Sequence, residues 1–179
     1  MLARHLFAIA ILPFTVTVLV PLWLARGPID LSSAIGRSPA EVALQVAGAA
    51  VGGAGLLLFG ASLRQFATRG QGTLAPWDPP RHLVVEGPYR FVRNPMISGV
   101  LLILVAESLI LRSWVHASWA LVFFGINTVY IPLLEEPQLH ARFGNEYAEY
   151  RRHVGRLIPR LRPWTAPSGQ SPRQERNAR

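Results

Sequence analysis

The sequence predicts an all-α, polytopic membrane protein with about four transmembrane helices, followed by a C-terminal amphipathic helix at the membrane interface. Half of the 179 residues are hydrophobic and only 16% are charged, whereas soluble domains carry about 25% charged residues. Several apolar runs approach the ~20 residues that a membrane-crossing helix needs. A later, more polar segment spaces its aromatic and aliphatic residues three and four positions apart, which is typical of an amphipathic helix.

Each apolar run predicts one spanning helix. The runs are 6–25, 42–63, 95–111 and 114–134. The first run exceeds the ~7–15 apolar residues of a signal peptide, so we expect it to be retained. Gly48 and Gly52 give the second run a small-xxx-small face, which allows close approach of another helix. Only Arg112 and Ser113 separate the last two runs, which predicts a tight helical hairpin.

The distribution of arginine predicts orientation and partners. The chain has 18 basic residues, all arginine, and a net charge of +8. Arginines cluster between the second and third runs and after the fourth, and cytoplasmic loops are arginine-rich. We therefore expect both termini and the central loop to be cytoplasmic. The lysine-free composition, rich in arginine and alanine, is typical of a GC-rich bacterial genome, so we expect a bacterial inner membrane. Because these arginines flank apolar runs, they favour membrane lipids over nucleic acid as partners.

The absence of cysteine excludes disulfides, thiolate nucleophiles and thiolate metal sites, and we expect no metal. The third helix rises through the membrane and the fourth returns, so residues 93–97 and 131–136 should meet at the cytoplasmic edge. The second of these places holds the pair Glu135-Glu136, which is either a solvated helix end or part of a site. After the pair, Gly144 is expected to break the amphipathic helix into two pieces.

An ordered set of short patterns carries a family resemblance. Residues 87–95 read Gly-Pro-Tyr-Arg-Phe-Val-Arg-Asn-Pro, an apolar hairpin follows, and Glu135-Glu136-Pro137 precedes Phe-Gly-Asn-Glu-Tyr-Ala-Glu-Tyr at 143–150. This arrangement resembles the isoprenylcysteine carboxyl methyltransferase and phospholipid methyltransferase family, which carries Arg-His-Pro-x-Tyr, a hydrophobic spacer and a Glu-Glu pair. The resemblance covers 81–164, within one predicted membrane domain at 1–164 that is followed by a disordered tail at 165–179.

The resemblance implies S-adenosylmethionine-dependent methyl transfer to a small lipophilic or lipid-anchored acceptor at the cytoplasmic membrane face. It assigns catalytic roles to Glu135 and Glu136, with Glu135 also on the cofactor side. The other cofactor-binding positions that it implies are His82, Leu83, Val84, Tyr89, Asn94, Pro95, Met96 and Ile97.

Three departures from the family pattern leave alternatives open. Asn94 replaces histidine, Ile97 replaces tyrosine, and Ile131 stands where the isoprenylcysteine branch has a substrate-linked arginine. An NADPH-dependent, sterol-reductase-like membrane oxidoreductase and a non-catalytic membrane subunit are the rival interpretations. Within the predicted spans, Glu107 is either a functional acid or a residue reaching the outer interface, and Asn127 is expected to make an interhelical hydrogen bond.

Overall fold

The computed structural model describes residues 10–25, 38–65, 68 and 82–165, and this part of the chain is helical, without β-strands. A π-helical segment, Ala10–Leu19, leads into α1 (Val20–Leu24). The remaining α-helices are α2 (Pro39–Gln65), α3 (Pro95–Ile110), α4 (Trp114–Tyr130) and α5 (Glu136–His153). A 3₁₀ turn, Gly87–Arg90, precedes α3, and a π-helical turn, Ile131–Glu135, joins α4 to α5.

Two helices of the described chain are long and apolar enough to cross a membrane: α2 and the continuous helix Trp114–His153. Two others, Leu12–Leu24 and Pro95–Ile110, are apolar but shorter. The predicted helical fold is therefore confirmed, whereas the count of four spans stays a prediction. In the most apolar stretch of 18 residues in α2, only 11% of the residues are buried against the rest of the described chain. Most apolar side chains of α2 are therefore uncovered, as expected for a helix that contacts lipid.

Glycines allow α2 to pack directly against α3, as the small-residue face predicts. A Cβ atom on Gly48 would lie 2.8 Å from Cγ1 of Ile110, and one on Gly52 would lie 3.1 Å from Cβ of Ala106. One turn further, a Cβ on Gly55 would lie 2.9 Å from the carbonyl oxygen of Gly99. No larger residue fits at Gly55 without separating the two backbones.

The tight hairpin between α3 and α4 is also confirmed. Arg112 turns the chain with a positive φ of 49°. Ser113 then caps α4, because its hydroxyl accepts a hydrogen bond from the backbone N–H of His116 at 3.4 Å. On the following turn, the indole of Trp119 donates to the carbonyl of Val16 at 3.0 Å, which fixes the N-terminal helix against α4.

The last helix, α5, bends where the sequence predicted a break. Gly144 lies outside helical geometry, with φ 53° and ψ −127°. After the bend, Tyr147 and Tyr150 are buried together with Val154. The aromatic stripe of this amphipathic helix therefore packs inward, against the loop that precedes α3.

Residues 154–165 form an extended segment, here called the C-terminal strap, which runs back along the start of α3. The N–H groups of Arg93 and Asn94 donate to the carbonyls of Gly155 and Arg156 at 2.8 and 3.1 Å. Further along, the N–H of Trp164 donates to the carbonyl of Arg90 at 2.9 Å. The strap was not foreseen from the sequence. Of the predicted disordered tail, only Thr165 is described, and the rest lies outside the described residues.

Candidate active site

A cavity of about 580 Å³ lies where the ends of the helices meet, at the position expected from the hairpin geometry. Every described helix except α1 contributes to its wall, together with the π-helical segments and the loop before α3. From the N-terminal half it is lined by Leu12, Pro13, Val16 and Phe59; from the loop and α3 by His82, Leu83, Val84, Tyr89, Arg93, Asn94, Met96, Ile97 and Val100; and from the C-terminal part by Phe123, Asn127, Tyr130, Ile131, Glu135, Gln138, Leu139, Arg142, Phe143, Tyr147 and Tyr150.

The structure brings nearly all of the sequence-predicted site residues into this one cavity. Pro95 and Glu136 are the exceptions. Pro95 is buried as the first residue of α3, where its missing N–H costs no helical hydrogen bond. Glu136 faces away from the cavity, as expected for the neighbour of an inward-facing residue on a helix, because consecutive side chains point about 100° apart.

The cavity changes character along its length. Its charged groups include Glu135, Arg142 and Arg93, which belong to the turn after α4, to α5 and to the loop before α3. In the opposite direction, the wall between the helices is formed by side chains such as Val16, Phe59 and Phe123. One space thus joins a charged end to an apolar end.

Glu135 is the carboxylate that lines the cavity. It is partly buried at the end of the π-helical turn. Burial is the main reason that its pKa rises from 4.5 to about 6, the negative charge of Glu136 adds to the rise, and Arg93 opposes it. At neutral pH it is therefore mostly ionised and close enough to its pKa to accept or release a proton.

Glu136 is the centre of an arginine cluster behind the cavity wall. Its side chain is only 1% exposed, and its carboxylate lies 3.0 Å from Arg93, 2.8 Å from Arg156 and 3.3 Å from Arg151. Burial alone would raise its pKa, but the hydrogen bond from Arg156 and the charges of the three arginines outweigh burial and lower it. Glu136 is consequently held as an anion.

Arg93 connects Glu136 to the surrounding chain and lies near enough to Glu135 to lower the pKa of that carboxyl. Besides Glu136, its guanidinium donates to the hydroxyl of Tyr147 at 3.0 Å and to the carbonyl of Val154 at 2.9 Å. The sequence marks Arg93 as part of the Arg-Asn-Pro pattern but assigned it no role. Its position in the cavity wall depends on contacts with α5 and the strap, which no local pattern reveals.

Tyr89 places a polar atom in the cavity wall without a partner among the described residues. Its ring is 7% exposed and its hydroxyl oxygen is fully buried. Burial first, and the nearby Tyr150 and Glu135 second, raise its pKa far above its usual range, so the hydroxyl keeps its proton. The backbone of Tyr89 is fixed because its carbonyl accepts a 2.6 Å hydrogen bond from the hydroxyl of Tyr150. A buried hydroxyl without a protein partner is uncommon, and a bound water, ion or ligand could complete its hydrogen bonding.

Asn127 of α4 and Ile131 of the π-helical turn that follows it both line the cavity. Ile131 is fully buried at the place where a family branch has arginine. The expectation of an interhelical hydrogen bond at Asn127 is wrong: its side-chain N–H donates within α4, to the carbonyl of Phe123 at 2.8 Å, and the residue lines the cavity. The i−4 carbonyl thus takes up one N–H of the amide within α4 itself.

Comparison with known proteins places this architecture in a family. The sequence model for "Phospholipid methyltransferase" matches residues 45–146, more than half of the chain. The match begins within α2, although the sequence patterns noted above begin only after that helix. Among curated proteins, the chain is 40% identical over 76 residues to "Methanethiol S-methyltransferase 2" of Bradyrhizobium diazoefficiens, a region that covers 41% of this chain and 27% of that protein. No solved structure matched the chain. From the family match over α2 to α5, the chain belongs to the phospholipid methyltransferase family.

Proposed function

We propose that this protein transfers a methyl group from S-adenosylmethionine to a small lipophilic acceptor at the cytoplasmic face of the membrane. The observation that carries the proposal is the cavity that joins the charged end at Glu135 to an apolar space between helices. The methyl donor is charged and water-soluble, whereas the acceptor partitions into lipid. The two can meet only in a space that is open to both kinds of molecule. The family match supports the reaction class.

The residues of the charged end fit the proposed cofactor. The volume of the whole cavity, about 580 Å³, lies within the ~300–1,000 Å³ range of small-molecule sites. The carboxylate of Glu135 suits a cationic sulfonium or ammonium group, and the protonated hydroxyl of Tyr89 can donate to an acceptor atom. The first turn of α3, at Met96 and Ile97, offers N–H groups and the positive end of a helix dipole to a carboxylate. Glu136 is proposed to act indirectly, by holding Arg93.

When bound, S-adenosylmethionine would supply an electrophilic methyl group: the nucleophile would bond to the methyl carbon as the carbon–sulfur bond breaks, and the demethylated thioether would leave. The cavity wall would hold donor and acceptor in line, and such positioning supplies much of the rate in a displacement. A thiol or ammonium acceptor must lose a proton, and the Glu135 carboxylate, with its pKa of about 6, can receive it. Leu83 and Phe143, which line the same space, would keep water away.

For the acceptor, the proposal favours a small apolar nucleophile over a prenylated carboxylate. Ile131 offers no positive charge to a carboxylate, and the guanidinium of Arg93 is already engaged by Glu136, Tyr147 and Val154. The relative in Bradyrhizobium is named for transfer to methanethiol. Because the chain spans only about a quarter of that protein, a thiol acceptor is a proposal for this chain.

Calorimetry on the purified protein in detergent tests the cofactor. We expect binding of S-adenosylmethionine and of its demethylated product, and no binding of NADPH. Binding of NADPH without the sulfonium compound would support the reductase alternative, and binding of neither would support a non-catalytic subunit.

A panel of acceptors with radiolabelled methyl donor tests the substrate class. Short-chain alkyl thiols are expected to be methylated in preference to phosphatidylethanolamine and farnesylcysteine. Methylation of the phospholipid alone would replace the proposed small acceptor with a lipid headgroup amine.

Cysteine-accessibility labelling tests the proposed orientation, because the chain has no native thiol. Single cysteines at Asp78 and Pro163 are expected to react only from the cytoplasmic side. Labelling of the two positions from opposite sides of the membrane would contradict the proposed topology.

A further inference from the structure

The C-terminal strap combines exposed apolar side chains with positive charge. Ile158 is 82% exposed and Leu161 is 100% exposed, although both are large aliphatic residues outside the apolar helices. Arg160 and Arg162 flank Leu161, and residues 154–165 contain no acidic side chain. Within the described chain nothing covers these two side chains, so any nonpolar contact for them would come from outside it.

The position of the strap identifies what it can contact. Its Leu157 carbonyl accepts a hydrogen bond of 3.2 Å from the hydroxyl of Ser98, on the first turn of the apolar helix α3. The strap also joins the backbone of Arg90 and Phe91, close to Gly87, which lies against Gln65, the last residue of α2. The strap therefore crosses the molecule where the apolar helices end, which is the level of lipid headgroups for helices that cross a bilayer.

The inner edge of the strap is already satisfied by the protein. Arg156 pairs with Glu136 at 2.8 Å, and backbone hydrogen bonds join the strap to Arg93 and Asn94. Its outer edge, with Ile158, Leu161 and Arg162, is the exposed part. We propose that this outer edge docks on anionic phospholipids, with the two aliphatic side chains entering the boundary between headgroups and acyl chains and Arg162 contacting phosphate.

Charge distinguishes this partner from a second copy of the chain. The protein carries a net charge of +8, so two straps facing each other would repel. An anionic lipid surface attracts arginines and accepts aliphatic side chains at the same time. The proposal depends on residence in the membrane and not on methyl transfer, so its test requires no enzymatic activity.

The test uses full-length protein with Leu161→Cys, labelled with a bimane fluorophore and placed in nanodiscs of phosphatidylcholine with and without phosphatidylglycerol. Since Leu161 makes no packing contact, the variant should fold normally. We expect strong quenching of the label by lipids brominated on their acyl chains, and no comparable quenching at Asn145→Cys, an exposed position in the bend of α5. A label at residue 161 that is quenched no more than the label at residue 145 would overturn the proposal.

A second measurement tests the role of charge. Competition between brominated phosphatidylglycerol and phosphatidylcholine gives the lipid preference at residue 161. Arg162→Gln should reduce that preference about fivefold, the effect of ~1 kcal/mol per arginine at an anionic surface. The matched control is Arg152→Gln, because Arg152 is also an exposed arginine but is paired with Glu149 at 3.6 Å. Equal preferences in the parent and the Arg162 variant would show that the strap does not select anionic lipid.

Discussion

Replacing Glu135 with glutamine should weaken cofactor binding while stabilising the fold. The substitution keeps the shape of the side chain and removes its charge. A lost hydrogen bond to a charged group costs about 1.5–3 kcal/mol, so the affinity for S-adenosylmethionine should fall about 10- to 150-fold. Calorimetry at pH 8 on the parent and Glu135→Gln measures this difference directly.

The opposite effect on stability follows from the raised pKa of Glu135. The folded protein raises this pKa from 4.5 to about 6, so ionisation opposes folding, and the stability present below pH 4.5 is lost as pH rises through 6. This difference between the two pKa values corresponds to about 2 kcal/mol of unfolding free energy, which is lost above pH 7. Glu135→Gln, which cannot ionise, should regain about that much at pH 8 and progressively less as pH falls toward 4.5.

Denaturation in mixed micelles at pH 8 and pH 5 checks the stability prediction. If Glu135→Gln is less stable than the parent at both pH values and binds the cofactor normally, then the carboxylate stabilises the structure and does not serve the ligand. Affinity of the parent protein should also decline below pH 6, since protonation removes the charge that the substitution removes.

Three further outcomes are expected. Gly99→Ala should destabilise the fold by about 1–3 kcal/mol, because the new Cβ would lie 2.9 Å from the Gly55 carbonyl oxygen. The control Gly53→Ala has open space around it and should stabilise α2 by about 0.5–1 kcal/mol. Equal denaturation midpoints for these two variants would contradict the close packing. Glu136→Gln should cost about 3–5 kcal/mol in the same assay by removing the carboxylate partner of the buried Arg93, and an unchanged midpoint would argue against the cluster. Farnesylcysteine should be a poor acceptor because Ile131 replaces arginine, so rapid methyl-ester formation would show that the arginine is dispensable.

The helical arrangement was predictable because its signals are local. Gly48 and Gly52 indicate close helix packing, Arg112-Ser113 is too short for anything but a tight turn, and Gly144 is a helix breaker. Each of these features is observed. Span number was less predictable, because hydropathy alone does not tell whether α3, with 16 residues, crosses a bilayer.

The site was predictable where chain order fixes geometry. A helical hairpin brings both of its open ends together, so Asn94 and Glu135 had to be neighbours, and they line one cavity. Contacts between distant segments carry no such signal. The strap that holds Arg93 from residues 154–157 contains no recognisable pattern, and the N-terminal contribution of Leu12 and Val16 to the apolar end depends on tertiary packing alone.

The adjacent carboxylates are electrostatically coupled, and this coupling leads to a final prediction. The negative charge of Glu136 helps to raise the pKa of Glu135, while the positive charge of Arg93 lowers it. In Glu136→Gln the first effect disappears and the second remains, so the pKa of Glu135 should fall below about 6. If Glu135 binds the cofactor as a carboxylate, the pH at which affinity is half lost should then move to a lower value. Calorimetric titrations between pH 5 and pH 8 measure this midpoint, with Glu149→Gln, which removes a partly exposed carboxylate of the same helix, as the control. A midpoint that stays at the parent's value in Glu136→Gln would mean that a different group controls the pH dependence of binding.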